Sequence, residues 1–518
     1  VKIELVRINS EDSEKPNNNE YDLILILLPD DNNSANDTKY FEQLFLTLQH
    51  LDYNNNTKIV SYSVEDYLDS KKKIIPLSGG ISAFVKTIGQ EFELDIKHVY
   101  STKPEELVTE LENWDKNLEV IYSEGKRYIF SHMRKIPLEQ LQKERIELTE
   151  DDLILVTGGA RGITYECIKE LTKDAKPSIA IVGRTKLPED VSELLFLTDK
   201  EIANKKEEIK EKLAQENEKV TPVMIEKAWK RFLNTVEIAK NILYLIENEV
   251  NANYYSADVS DEEQMKSVLS QIEEDFEKPV TIVIHGAGIE ESKAFKKKKL
   301  EMAKKIVQVK ISGLYNILNN IDQSNLKKII CFSSIAGRFG NRGQVDYAFA
   351  NGYLARTCWR LKQQGIDALA IDWSAWADIG MATQGSILKV LKAAGITPIP
   401  LKEGIRMFTE LTNYNIEQSE LIVAGKLGLL LKETEDKKTS GQLETSMNSE
   451  KYPMIDEIRK TDNGFIALKM LKYDYDLYMR DHQIQGLPIF PAVMGLSLIH
   501  ISEPTRPLYI SYAVFCLK

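Results

Sequence analysis

The chain has 518 residues, 43% hydrophobic and 28% charged, which is too long for one ordinary core and predicts two or three domains. Its 79 acidic residues outnumber 67 basic ones, and a net charge of -12 disfavours a nucleic-acid partner, because a phosphate backbone is bound through a basic excess. Cys167, Cys331, Cys358 and Cys516 stand far apart with no CxxC pair, so neither a disulfide framework nor a zinc site is expected, a reducing cytoplasm is the expected home, and no uncharged apolar run of about 18 residues predicts a membrane span.

The chain begins at Val1, as a piece of a longer product would, and no basic-then-apolar leader opens it. Residues 1–148 read as an α/β unit with no catalytic signature. Tyr21 to Pro29 (YDLILILLP) is a continuous apolar run of the kind buried on both faces of a sheet. Helical periodicity over Tyr40 to Leu51 follows, then a strand at Lys58 to Ser63, a helix led by Gly79 to Lys86, a strand at Asp95 to Tyr100, and a closing pair at Glu119 to Tyr122 and Arg127-Tyr128.

From Leu153 the pattern alternates strand and helix. Short apolar runs at Leu153 to Val156, Ser178 to Val182, Val280 to Ile284, Lys328 to Phe332 and Ala368 to Trp373 predict a Rossmann-like, doubly wound parallel sheet within an α/β fold. Pro188 to Val250, rich in Glu, Lys and Leu at helical spacing, reads as an insertion of two or three solvated helices. The first strand runs straight into Thr157, Gly158, Gly159, Ala160, Arg161, Gly162 and Ile163. Such a turn lets a pyrophosphate approach the N-terminus of the next helix, where free N-H groups favour an anion. Arg184, between Gly183 and Thr185 at the end of the second strand, holds the place where an acidic residue would grip a ribose hydroxyl. A guanidinium there suits a 2'-phosphate, with Arg161 assisting, so NADPH is expected rather than NADH.

Four residues in order carry the candidate chemistry: Lys310, Ser334, Tyr347 and Asn351. Reducing a ketone needs a proton for the growing alkoxide, and a free Tyr titrates near 10. An ammonium about 4 Å from the phenol, at an effective dielectric near 20, would favour phenolate by roughly 4 kcal/mol. On that reading Lys310 tunes Tyr347, the Ser334 hydroxyl holds the substrate oxygen, and Asn351, one helical turn beyond Tyr347, positions Lys310 or a relay water.

The ordinary short-chain dehydrogenase carries Lys four residues after its Tyr, whereas Asn351 stands there in this chain and the Lys comes earlier. With 24 residues from Lys310 to Ser334 and 13 from Ser334 to Tyr347, the set resembles the ketoreductase domain of type I polyketide synthases and polyunsaturated fatty acid synthases. The resemblance spans about residue 20 to Gly495. It implies that residues 1–148 are a truncated, cofactor-free Rossmann-like brace and that 149–431 are the catalytic domain. It also implies that Asp258 with Val259 contacts the adenine, and that His285, Gly286, Ala287 and Gly288 pass beside the nicotinamide-side ribose, with no chemistry assigned to His285. Asp372 to Trp376 and Gly380, Met381 and Ala382 resemble the loop and lid over the acyl arm, although Trp373 and Trp376 read equally well as core. The stereochemical flags of the family are absent: Ile289 to Ser292 replace Leu-Asp-Asp, and Phe339 stands where Trp would.

Residues 432–455 are polar and read as a linker. His482, Gly486 and Pro491 follow the HxxxGxxxxP form of hot-dog dehydratases, implying a truncated dehydratase start at 456–495 that performs no dehydration. Leu496 to Arg506 (LSLIHISEPTR) matches a translated sequencing-library adapter, so residues 496–518 are set aside. The implied activity is NADPH-dependent reduction of a 3-oxoacyl thioester on the phosphopantetheine arm of an acyl carrier protein, beside other synthase domains of the parent chain. The alternatives are a free-standing short-chain dehydrogenase on small carbonyls and a non-reducing, carrier-docking scaffold.

Overall fold

In the computed structural model the described residues are 3–7, 21–29, 34–54, 56–69, 74–130, 136–188, 190–216, 220–377, 379, 395–427, 457–461, 464–468, 483–484 and 487–488. The chain divides into two compact units, Val1–Asp436 and Lys437–Lys518.

The first unit holds two sheets. The elements of the first sheet are β1 (Ile3–Arg7), β2 (Leu23–Leu27), α1 (Ser34–His50), β3 (Lys58–Ser63), α2 (Pro76–Phe92), β4 (Asp95–Tyr100), α3 (Pro104–Glu112), β5 (Glu119–Ser123) and β6 (Lys126–Ile129). Strands β1 to β5 lie parallel in chain order and β6 turns back antiparallel. β1 is absent from the sequence reading.

After α4 (Leu138–Leu141) and β7 (Gln142–Arg145) come β8 (Leu153–Thr157), α5 (Gly162–Leu171), β9 (Ser178–Gly183), α6 (Ser192–Leu195), α7 (Asp199–Glu216), α8 (Pro222–Glu247), β10 (Ala252–Ser256) and α9 (Glu262–Phe276). Then follow β11 (Ile282–His285), α10 (Leu300–Leu318), β12 (Lys328–Ser334), α11 (Ile335–Phe339), α12 (Val345–Gln363), β13 (Ala368–Trp373), α13 (Leu401–Asn413), β14 (Tyr414–Ile416) and β15 (Glu420–Val423). The second sheet is parallel throughout, in the order β10-β9-β8-β11-β12-β13-β15. From β8 the chain winds first one way and then the other, so the order reverses between β8 and β11, the place where open α/β sheets bind ligands. β8 (LILVT) is buried along its whole length, as a central parallel strand covered by helices must be.

The expectation that all of Pro188 to Val250 is a solvated insertion is corrected. α8 opens on a Thr221 cap with Pro222 behind it, but Val236, Ile238, Ala239 and Leu245 in its second half are buried. That half is the helix covering β9 and β10, and Asn241 donates to Ala160 O (2.9 Å), tying it to the glycine turn.

The two sheets are joined by helices. α1, α2, α10 and α12 share one apolar core that includes Phe41, Phe45, Phe84, Phe295 and Phe349. α2 crosses α12 at glycines: a Cβ on Gly79 would lie 2.4 Å from Gly352 O and 2.3 Å from the Arg356 side chain. Beside the crossing, Arg356 bonds the buried Glu65 carboxylate at 2.6 Å.

In the second unit β16 (Glu457–Thr461) pairs antiparallel with β17 (Gly464–Leu468), and β18 (Gln483–Ile484) with β19 (Leu487–Pro488). The linker, His482, Gly486, Pro491 and residues 496–518 lie outside the described residues.

Because neither backbone at the crossing can retreat from a methyl group, Gly79→Ala should lower stability by about 1–3 kcal/mol in denaturant unfolding. The same change at Gly125, which has open space but a φ of +73°, should leave the α2 to α12 contact intact.

Candidate active site

Thr157 ends β8 in register with His285, which ends β11, so both sequence turns emerge at the switch point. Gly158 has φ +69°, and a Cβ there would lie 2.9 Å from the Ala287 backbone, so only glycine lets the two turns meet. Gly162 has φ +68° and open space where its Cβ would be, directly over the first turn of α5. Arg161, the residue before α5, gives no side-chain cap, so its first N-H groups face that space unpaired by a cap. This cradle of room and N-H donors fits the pyrophosphate of a dinucleotide.

His285 is a buried strut at the start of the turn through Gly286, Ala287 and Gly288. Its ring pairs with Thr157 Oγ1 (2.9 Å) and with Lys310 O (2.9 Å). Burial pushes it down to about 3, so the neutral ring fixes the turn of α10 that carries Lys310. Asp258 is similarly occupied: its carboxylate accepts from Ser260 N (3.1 Å) and Ser260 Oγ (2.6 Å). Burial pushes its carboxyl up, but those bonds and the Arg184 and Lys305 charges hold it below the usual carboxylate range. Val259 packs against Gly313 and accepts from Asn316 through its carbonyl (2.9 Å). Arg161 and Arg184 are exposed. Neither has a hydrogen-bond or ion-pair partner among the described residues. Tyr254 donates to Thr185 O (2.7 Å) and closes over Gly183.

Lys310, Ser334, Tyr347 and Asn351 are brought together from three elements. Lys310 stands midway along α10, Ser334 ends β12 and caps α11 by accepting from Ala336 N (3.2 Å), and Tyr347 lies in the first turn of α12. Asn351, fully buried, donates to Tyr347 O (2.8 Å), and its Oδ1 is a buried acceptor with no partner among the described residues. Lys310 Nζ donates to Phe332 O at 2.7 Å and lies 5.7 Å from the centre of the Tyr347 ring. Desolvation pushes the Tyr347 phenol up to about 12, against the pull of the Asn351 and Ser334 side chains. Desolvation also takes Lys310 down to about 8. The phenol therefore keeps its proton at neutral pH, as a proton donor must, and the ammonium is the more acidic of the two.

Trp373 and Trp376 are core residues: their ring centres lie 4.9 Å apart, and Trp373 also packs on Phe332 at 5.9 Å. Gly380, Met381 and Ala382 lie outside the described residues. Sequence reading missed two supports of Tyr347. One is the buried Lys298 to Asp346 pair at 2.8 Å, and the other is a polar stripe on α2, Lys86, Thr87, Gln90 and Glu91, whose spacing on an otherwise apolar helix is the signal that marks it.

A family profile described as the KR domain matches residues 153–378. A polyunsaturated fatty acid synthase protein of a Thraustochytrium species is 26% identical over 390 residues, which are 74% of this chain and 13% of that protein. Polyketide synthase PksN of Bacillus subtilis is 26% identical over 348 residues, 63% of this chain and 5% of that protein. The chain thus spans a small part of the curated relatives it matches. Among solved structures, a ketoreductase domain from the bacillaene assembly line superposes with a TM-score of 0.60 at 19% identity, covering 82% of this chain and 97% of that one. An N-terminal ketoreductase from the macrolactin assembly line gives 0.58 at 18%, covering 78% and 72%. No helix among the described residues is long and apolar enough to cross a membrane.

Lys310 binds a proton more weakly folded, at about 8, than unfolded, near 10.5, so its burial costs stability at pH 7 and the cost fades as pH rises between those values. Lys310→Met should therefore gain stability relative to the parent at pH 7, by about 2 kcal/mol more than at pH 10. Melting curves at the two pH values check this.

Proposed function

We propose that this chain, whose residues 153–378 are a ketoreductase domain, reduces a 3-oxoacyl thioester to the 3-hydroxyacyl thioester with NADPH, the acyl group being carried by an acyl carrier protein. The observation that carries the proposal is the convergence of Lys310, Ser334, Tyr347 and Asn351 beside the glycine cradle at the sheet's switch point. A reduced nicotinamide bound there supplies the hydride. The Ser334 hydroxyl holds the substrate oxygen in place. The Tyr347 phenol, protonated at neutral pH, gives its proton to that oxygen as negative charge grows on it. Lys310 then steadies the phenolate left behind, since an opposite charge restores the proton affinity that burial removed from the ammonium. The unpartnered Asn351 Oδ1 is an acceptor suited to a relay water that returns the proton.

The preference for NADPH rests on Arg161 and Arg184, exposed and with no hydrogen bond or ion pair among the described residues, as groups awaiting a phosphate should be. Residues 1–148 brace the catalytic part, and 456–495 begin a dehydratase in the parent synthase, whose other domains and reducing cytoplasmic setting belong to the same proposal.

The test is loss of NADPH absorbance with an acetoacetyl thioester. Tyr347→Phe should lower kcat by about 10²–10⁴-fold, and an equal rate in both proteins would remove Tyr347 from its role. Arg184→Ala should weaken NADPH binding about tenfold or more while leaving NADH within about twofold, by titration of cofactor fluorescence.

A further inference from the structure

The half of the first unit without the glycine cradle meets the reacting segment in part through a polar stripe of α2, while Gln49 of α1 donates to Phe295 O (2.7 Å) and Lys298 O (2.9 Å). Lys86 Nζ donates to Arg338 O (2.9 Å), Gln90 Nε2 donates to Phe339 O (2.7 Å), and Thr87 Oγ1 accepts from Asn341 N (3.2 Å). Each of these holds only the segment that runs from Ser334 toward Tyr347. Glu91 does more: one carboxylate oxygen accepts from Gly343 N (3.0 Å), and the other accepts from Phe295 N (2.5 Å). Gly343 precedes Tyr347 by four residues, and Phe295 belongs to the segment leaving β11 past Gly288. Those two segments also meet directly, through Lys293 N to Gly343 O (2.9 Å) and Gln344 Nε2 to Glu290 Oε1 (2.8 Å).

We propose that Glu91 is a positioning residue for the reduction: its single carboxylate clamps together the two backbone segments that flank Tyr347 and so sets where the phenol stands. The inference rests on the reductase reading above. Three features point to it. A carboxylate that accepts two backbone N-H groups makes charge-assisted bonds, stronger than the neutral bonds of Thr87 and Gln90. Gly343 has φ +78°, so this short connection holds a conformation that most residues disfavour and depends on its hydrogen bonds to keep it. The Phe295 ring is buried in the shared helix core, so the segment tied by Glu91 is anchored at the same residue by packing.

Three forms of the full chain separate this role from general support: the parent, Glu91→Ala and Glu91→Gln. With an acetoacetyl thioester, Glu91→Ala should lose about ten- to a hundredfold in kcat, the scale of a misplacement near 1 Å, with KM and NADPH affinity within about threefold. Glu91→Gln keeps one acceptor oxygen at the same volume and should recover part of the loss. Hydrogen exchange should quicken about tenfold at 340–347 and 289–299 in the Ala form and stay unchanged in β8 and β9. Unchanged kcat in Glu91→Ala would overturn the assignment, as would a loss shared equally by kcat, NADPH binding and cooperative melting. Should the parent itself show no reduction, the reductase reading fails separately, and the exchange pattern alone decides whether Glu91 clamps the two segments.

Discussion

Helix α12 is held from outside its own sheet. α12 carries Tyr347 and Asn351, and α2 crosses it so closely that Gly79 and Gly352 meet backbone to backbone. Phe349 and Tyr353 then enter a core shared with Phe41 and Phe84 from the other half. A fully buried Phe is worth about 3–5 kcal/mol when truncated, so the placement of α12 draws on both halves at once. The halves differ in what they carry: the glycine cradle belongs to the second, and the first supplies the surface against which α12 is set.

Three buried charge pairs follow one rule, from which Lys310 departs. Arg356 pairs with Glu65 at 2.6 Å, Lys298 with Asp346 at 2.8 Å and Lys86 with Glu119 at 2.8 Å, as buried ions must when desolvation is costly. Lys310, equally buried, has no carboxylate in ion-pair reach among the described residues and bonds a backbone carbonyl instead. An ammonium left in that state loses proton affinity, which is a cost to folding.

Much of this was legible in the chain because the signals are local. Strands buried on both faces, such as Leu153 to Val156 and Ala368 to Trp373, announce themselves as apolar runs, and the glycine turn and the spacing of Lys310, Ser334 and Tyr347 need only the sequence. β10 (ANYYS) was missed because it is a short edge strand that reads as polar, and β15 (ELIV) is only four residues long. The second half of α8 was misread because its core contacts are diluted by a charged first half. The burial of Tyr347 and Lys310 was not legible for a different reason. A charge pair can be guessed from spacing, but desolvation depends on everything folded around it. The role of Glu91 was hidden by distance, since its partner amides lie 204 and 252 residues away.

The shared core of α1, α2, α10 and α12 joins helices from two sheets within one polypeptide. When such a contact forms between separate molecules, dilution dissolves it and any geometry that depends on it. Tethering removes that concentration dependence, because each face always finds the other at a high local concentration. The stance of Tyr347 on α12 is thereby insulated from how much of the protein a cell makes.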